Sequence, residues 1–491
     1  LMSHIAFLGV TVTYADSMLD TKFVDDFLSA LIILKDELQM ARARLPFEAG
    51  GLSVDFHRVH YKHHYHGPIA IHRFHSQDGN PVARARLRID LGQFQSAAQF
   101  RTNLRDTLEK LVSGEGESSG AIVLEDYGPG RQGVCWEFNA EFWKRLREFE
   151  QATGKNYDAS IGGSTDHNLA YARASARALF DKIHAHHLGG QRLYVLEIGV
   201  ASTCRARSFL NEFRRICDLT RTDYHRHITY VLADYSDTLL AEAAAELSRE
   251  HPSVESVRIE AGNPSAALAR YHAHVVHAHL CNVYDNLPAD QALWMDGSWH
   301  GIEARLYLPR QALDEMLARH GFDPADKATI EDAIRTLHPR NRATSFSADS
   351  GPSEPRARVS DPPWRATGGP SEPRAPATGG YAASTGPDSG TSANDSGVAG
   401  FLDWSRTRLA ELGRQPGAYI HFWMDLFAAL RLEERYVDVA DVRNLLLKGI
   451  VGVELPGEVL QRHLADTRDI RVHLNQAALN GFAQLLPILH P

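Results

Sequence analysis

Cysteine is scarce: Cys135, Cys204, Cys217 and Cys281 are the four in 491 residues, and no two form a Cys-x-x-Cys pair. That excludes a disulfide scaffold and a cysteine zinc site, and fits a reducing cytoplasm. No apolar run approaches the roughly 20 residues that cross a bilayer, and no secretory signal opens the chain, so no membrane partner is expected. An excess of basic charge is also missing. The 52 Lys and Arg stand against 61 Asp and Glu, for a net charge of −9, which argues against a nucleic-acid binder. No Gly-x-Gly-x-x-Gly follows the strands expected within 151–309 (the pattern occurs upstream, at Gly128-Pro-Gly130-Arg-Gln-Gly133) and no Walker-type phosphate loop occurs, which argues against the usual NAD and ATP sites. What remains is ordinary globular material, 43% hydrophobic and 23% charged, enough for about three domains.

One stretch is different. From Thr344 to about Gly400 the chain is mostly Ser, Pro, Gly, Ala, Thr and Arg, and the heptamer Gly351–Ala357 recurs at Gly369–Ala375. Such a composition cannot bury enough apolar surface to offset the entropy of ordering it, so 344–400 is expected to be a disordered linker. Upstream, 1–150 reads as an α+β domain. It has a helix from Phe23 to Arg44, a period-two strand from Pro81 to Leu91, and a second helix capped by Ser96. Helical segments are expected at 310–343 and 401–465, with a returning core segment at 466–491.

Residues 151–309 alternate helix and strand. Strands are expected at Leu193–Ile198, Ile228–Ala233, Val257–Ile259 and His274–His279, separated by helices. Near-continuous hydrophobicity in the strands implies a parallel sheet with right-handed crossovers, whose ligands bind beyond the carboxyl ends of the strands. The strand ends are therefore the candidate site. The first ends in Glu197-Ile-Gly199, followed by Val-Ala201-Ser-Thr203, and glycine there permits a sharp turn. The second ends in Asp234, an acid suited to ribose hydroxyls. Asn263 follows the third, where a short polar side chain could read an adenine amino group. Asn282 and Asp285 follow the fourth, ahead of Pro288.

These features resemble the class I S-adenosylmethionine-dependent methyltransferases, and more distantly the MidA-type protein arginine methyltransferases. The likeness rests on Glu197-Ile-Gly199, on Tyr230-Val-Leu-Ala-Asp234-Tyr-Ser236, on Asn282 with Asp285-Asn-Leu-Pro288, and on Met295-Asp-Gly-Ser-Trp299. The resemblance implies a doubly wound, Rossmann-like α/β sheet carrying a helical insertion after its fourth strand. It implies S-adenosyl-L-methionine held by Glu197, Gly199, Ala201, Asp234, Asn263 and Asn282, and a protein side chain or small molecule as methyl acceptor. Asp285 is the candidate base. Because such a fold continues into a fifth strand and a closing hairpin, the chain is expected to be a fragment of a longer reading frame. A methyltransferase-fold scaffold without catalysis is the alternative.

Other groups stay open. Arg205 and Arg207 could pair with a donor carboxylate or simply face solvent. Cys204 reads as a structural thiol. Seven histidines between His57 and His75 could bind a metal, though His64-Tyr-His66 before a Gly-Pro turn suits a solvent-exposed hairpin face, and no metal site is assigned. The aromatic run Tyr419–Met424 could line a cleft or fill a core.

Overall fold

Among the described residues two β-sheets organise the fold, one long and mixed, the other short and parallel. The computed structural model describes residues 5–15, 21–44, 47–57, 66–155, 166–200, 202–280, 283–295, 297–335, 337, 397–439 and 469–490. The class is α/β. The chain opens with β1 (Phe7–Ala15), α1 (Thr21–Arg42), β2 (Glu48–His57), β3 (Ile69–His75), β4 (Pro81–Asp90) and α2 (Ala97–Ser113). Short strands β5 (Ile122–Val123) and β6 (Gly128–Pro129) lead to α3 (Cys135–Lys144) and α4 (Leu146–Thr153). Then α5 (Asp166–Ala185), β7 (Leu193–Ile198), α6 (Cys204–Thr220), β8 (Ile228–Asp234), α7 (Asp237–Leu247), β9 (Val254–Arg258), α8 (Ser265–Leu268) and β10 (Val275–Leu280) alternate. The hairpin β11 (Asp290–Met295) and β12 (Ser298–Leu308) precedes α9 (Arg310–His320) and α10 (Lys327–Arg335). The remaining elements are α11 (Gly397–Glu411), α12 (Ala418–Ala429), β13 (Arg431–Asp438), β14 (Asp469–Leu474) and α13 (Gln476–Leu485).

Local chemistry explains several boundaries. Ser96 caps α2 by accepting the Gln99 N–H at 3.2 Å, and Gly114 closes the helix in the left-handed conformation. Every residue of β8 is buried, as a central parallel strand covered on both faces requires. The parallel sheet has the order β10-β7-β8-β9. Strands β7, β8 and β9 step one way, and β10 returns to the other side of β7, which creates a switch point between β7 and β10. Leu179, Phe209, Phe213 and Leu240 from α5, α6 and α7 cover one face. Leu268 and Tyr271 cover the other, joined by Leu485 of α13 and Ile488 just beyond it. Leu489 makes a parallel bridge to Val275 on β10.

The long sheet corrects the domain boundaries. Its order is β14-β11-β12-β13-β3-β4-β1-β2, so the strands of 1–150 share one sheet with those of 290–308, 431–438 and 469–474. Residues 1–150 therefore do not form a separate α+β domain, and 290–309 does not belong to the parallel core. The segment 401–465, read as helical, contains β13. Within 466–491, β14 joins the long sheet while α13 returns to the parallel one. Helix α11 starts at Gly397, inside the expected linker, whose residues 344–396 lie outside the described ones. These corrections share one cause. Period-two patterning says which face of a strand is buried and leaves its neighbour open.

His66 and His72 also depart from expectation. Both are buried rather than on an exposed hairpin face, and both approach Glu434 of β13, at 3.5 and 3.9 Å. His60, His63 and His64 lie outside the described residues. Among the described residues no group of three or more His, Cys, Asp or Glu is placed to hold a metal ion. Tyr419, Phe422 and Trp423 of α12 fill a core against Phe138 and Phe149. No helix among the described residues is long and apolar enough to cross a membrane.

Candidate functional site

A cavity of about 340 Å³ lies at the carboxyl ends of β7, β8, β9 and β10, where ligands bind in open parallel sheets. Its floor begins at the end of β7. Gly199 turns the chain with a φ of +87°, a conformation costly for any residue with a Cβ. The Val200 N–H then donates to Asp234 Oδ2 at 2.8 Å, and Asp234 Oδ1 accepts the Ser236 N–H at 2.9 Å. Ser236 is the N-cap of α7. One carboxylate thus joins the loop after β7 to the start of α7. Burial pushes the Asp234 carboxyl up from its usual range, and the backbone N–H groups only partly oppose this.

Glu197 is buried beneath the same cavity, where it accepts the Tyr230 hydroxyl at 2.5 Å and pairs with Arg205. Burial, reinforced by Glu197, holds the Tyr230 phenol protonated. Arg205 lines the cavity with its charge balanced by Glu197, while Arg207 turns to Glu246 and Glu250.

Of the expected cofactor residues, Glu197, Gly199 and Asp234 meet at the cavity. Ala201 and Asn282 lie outside the described residues. Asn263 does not line the cavity: it is exposed in a turn, its N–H donating to the Glu260 carbonyl at 2.8 Å. Asp285, the expected base, is likewise exposed on a single 3-10 turn and absent from the lining, while Asn286, Leu287 and Pro288 are present. Cys204 does not reach the cavity.

Sequence reasoning missed three wall residues on the strand ends and a whole helix. Tyr235 follows Asp234 directly, Glu260 follows β9, and His279 stands near the end of β10. The strand-end rule that found Asp234 already reaches Glu260, the residue directly after the expected end at Ile259, although the expected contact is Asn263, further along the loop. The cover is α3 with the start of α4, through Trp136, Asn139, Ala140, Trp143, Lys144 and Leu146. It is fastened on two sides. The Tyr235 hydroxyl donates to the Ala140 carbonyl at 3.0 Å and Ser236 Oγ to the Lys144 carbonyl at 3.4 Å, while Asn139 Nδ2 donates to the Asn286 carbonyl at 3.2 Å. Nothing local in 135–146 signals this contact, because the helix reads only as amphipathic.

Helix α13 supports the loops from below. Asn475 caps it, accepting the Ala478 N–H at 2.9 Å, and donates to the Tyr284 carbonyl; Gln484 accepts the Ser265 N–H at 3.2 Å. At Gly481 a Cβ would overlap the Ala261 carbonyl oxygen. Gly481→Ala is therefore expected to lower stability by about 1–3 kcal/mol, measured as an earlier urea midpoint with an unchanged slope. Gly400→Ala, where a Cβ meets nothing within 4 Å, is the matched control and should not destabilise.

Comparison with family models, with curated protein sequences and with solved structures gives no match.

Proposed function

We propose that this chain is a methyltransferase that takes its methyl group from S-adenosylmethionine, bound in the cavity beyond β7–β10. The observation that carries the reading is the meeting of Gly199 and Asp234 at one cavity beside the switch point. The residues fit a nucleoside. Asp234 accepts the backbone N–H groups of Val200 at Oδ2 and Ser236 at Oδ1, with Tyr235 adding a third, and a carboxylate with about four lone-pair sites keeps acceptor capacity for a ribose hydroxyl. Tyr235, Ile259 and Ala261 offer apolar contact for a purine, and Glu260 beside them can accept from an exocyclic amino group. The cavity falls within the size range of small-molecule sites.

When bound, the donor supplies a methyl group made electrophilic by its sulfonium. Transfer to an acceptor, a protein side chain or a small molecule, demands alignment more than acid–base help. The chain's tasks are to orient both partners and to exclude water. Gly199 lets the backbone approach closely, Asp234 fixes the loop on which the donor rests, and the α3 cover closes the space above.

A non-catalytic module of the same architecture is the second reading. It draws on one observation: Glu197, the acid at the start of the loop, is already paired with Arg205 and Tyr230. Titration calorimetry of S-adenosylmethionine into the folded chain separates the two. Micromolar binding, displaced by S-adenosylhomocysteine, supports the enzyme; absence of heat with an intact circular dichroism spectrum supports the module.

A further inference from the structure

The cavity has two ends with different chemistry. The nucleoside groups Asp234, Tyr235 and Glu260 stand at the ends of β8 and β9. His279 stands on β10, on the opposite side of β7, in register with Glu197. Its ring lines the cavity, and its Nε2 is buried without a hydrogen-bond partner among the described residues. The Tyr171 ring, more than half exposed at the mouth, lies 6.0 Å away between centroids. A buried ring nitrogen with no partner is uncommon in a finished site and marks a place where a ligand group completes the bonding.

Charge narrows the ligand. Among the described residues the cation beside His279 is Arg205, and the carboxylate in register with it on β7, Glu197, already serves Arg205 and Tyr230. At neutral pH the imidazole is uncharged, since burial, and then Arg205, lower its pKa to about 3. A guanidinium or ammonium entering this end would find no uncommitted carboxylate among the described residues at the β10 end to replace its water, which is costly for a buried cation. An uncharged hydroxyl donates to a neutral imidazole without that cost, and an aromatic ring suits walls that include Trp136 and Tyr171.

We infer that the β10 end of the cavity is an acceptor site for an uncharged aromatic hydroxyl, which donates its hydrogen bond to the His279 imidazole. The inference rests on the methyltransferase reading for its chemistry but not for its binding. On transfer, the phenol oxygen forms the new C–O bond while the methyl carbon–sulfur bond breaks with its electron pair going to sulfur. The hydroxyl proton passes to His279 and then to solvent. A weakly basic imidazole can take that proton because an oxygen gaining a methyl group becomes a strong acid. It cannot deprotonate a guanidinium.

The experiment is calorimetry on the full chain with three probes: 4-methylphenol, a tyrosine-containing tripeptide and methylguanidinium, each with and without S-adenosylhomocysteine. The expected result is binding of 4-methylphenol and no binding of methylguanidinium. His279→Ala should weaken the phenol at least tenfold with S-adenosylhomocysteine affinity unchanged, and His279→Gln, which keeps an acceptor, should recover part of the loss. Tripeptide binding comparable to the phenol assigns the hydroxyl to a protein tyrosine; phenol binding alone assigns it to a free small molecule. Preference for methylguanidinium, no binding of either hydroxyl probe, or an unchanged phenol affinity in His279→Ala overturns the inference. If the phenol binds and S-adenosylhomocysteine does not, the donor reading falls and the hydroxyl site stands.

Discussion

Arg471→Leu is expected to cost about 3–5 kcal/mol of folding stability at neutral pH, because it strands a buried charge. Glu434 is almost fully buried in the long sheet, and Arg471 of β14 donates to it at 2.5 Å. Burial opposes its ionised form, but Arg471, His66 and His72 together outweigh that and hold its carboxyl well below the usual range. A depressed acid gives stability that is present above its unfolded pKa, near 4.3, and is lost as pH falls through the folded value. Without Arg471 the carboxyl must stay ionised with buried Arg88 as its remaining cation among the described residues, take up a proton, or draw one to a histidine. The penalty is therefore expected to shrink as pH is lowered from 7 towards 5. Chemical denaturation of wild type and variant at both values measures this; an equal penalty at the two would contradict it.

The histidines add a pH dependence of the same sense to the wild type. Burial is the main cause that lowers the His66 and His72 pKa values, the latter to about 4. A depressed base favours the folded state only while it is neutral. Stability from this pair is present above the ordinary histidine pKa, near 6.5, and declines as pH falls from there towards about 4.

Asp234→Ala is expected to lose about 2–4 kcal/mol of stability, and donor binding with it, because the buried Val200 and Ser236 N–H groups lose their common acceptor. Asp234→Asn separates the two effects. The amide keeps one oxygen acceptor but turns its donor towards the other N–H, so the loss should be smaller. Without the charge, nucleoside affinity should still fall at least tenfold. Burial makes the wild-type carboxylate costly to ionise, and the backbone N–H groups offset that cost only in part. Denaturant midpoints and S-adenosylhomocysteine calorimetry on the two variants give the answer. Unchanged affinity in Asp234→Asn would remove Asp234 from the donor site.

Much of this protein could be read from its residues in order. Ser96 and Gly114 delimit α2 through side-chain and backbone chemistry within a few positions of themselves. The hydrophobic runs at 193–198 and 228–234 specify buried parallel strands, and the order of helices between them specifies which ends face a ligand. That placed Glu197, Gly199 and Asp234 at the cavity. The same logic carried Asn263 and Asp285 too far along their loops, since a turn's backbone path decides whether residue one or residue three after a strand looks inward.

Only the tertiary structure decided the rest. Strand β13 pairs in parallel with β3, Arg435 beside Arg73 and Val437 beside His75, across a separation no local pattern encodes. That pairing is what turned His66 and His72 into buried neighbours of Glu434. Helix α3 covers the cavity because Ala140, Lys144 and Asn139 meet Tyr235, Ser236 and Asn286. Periodicity and capping are properties of neighbours in sequence. The partner of a strand, the cover of a cleft and the surroundings of a charge are set by which distant surfaces bury each other.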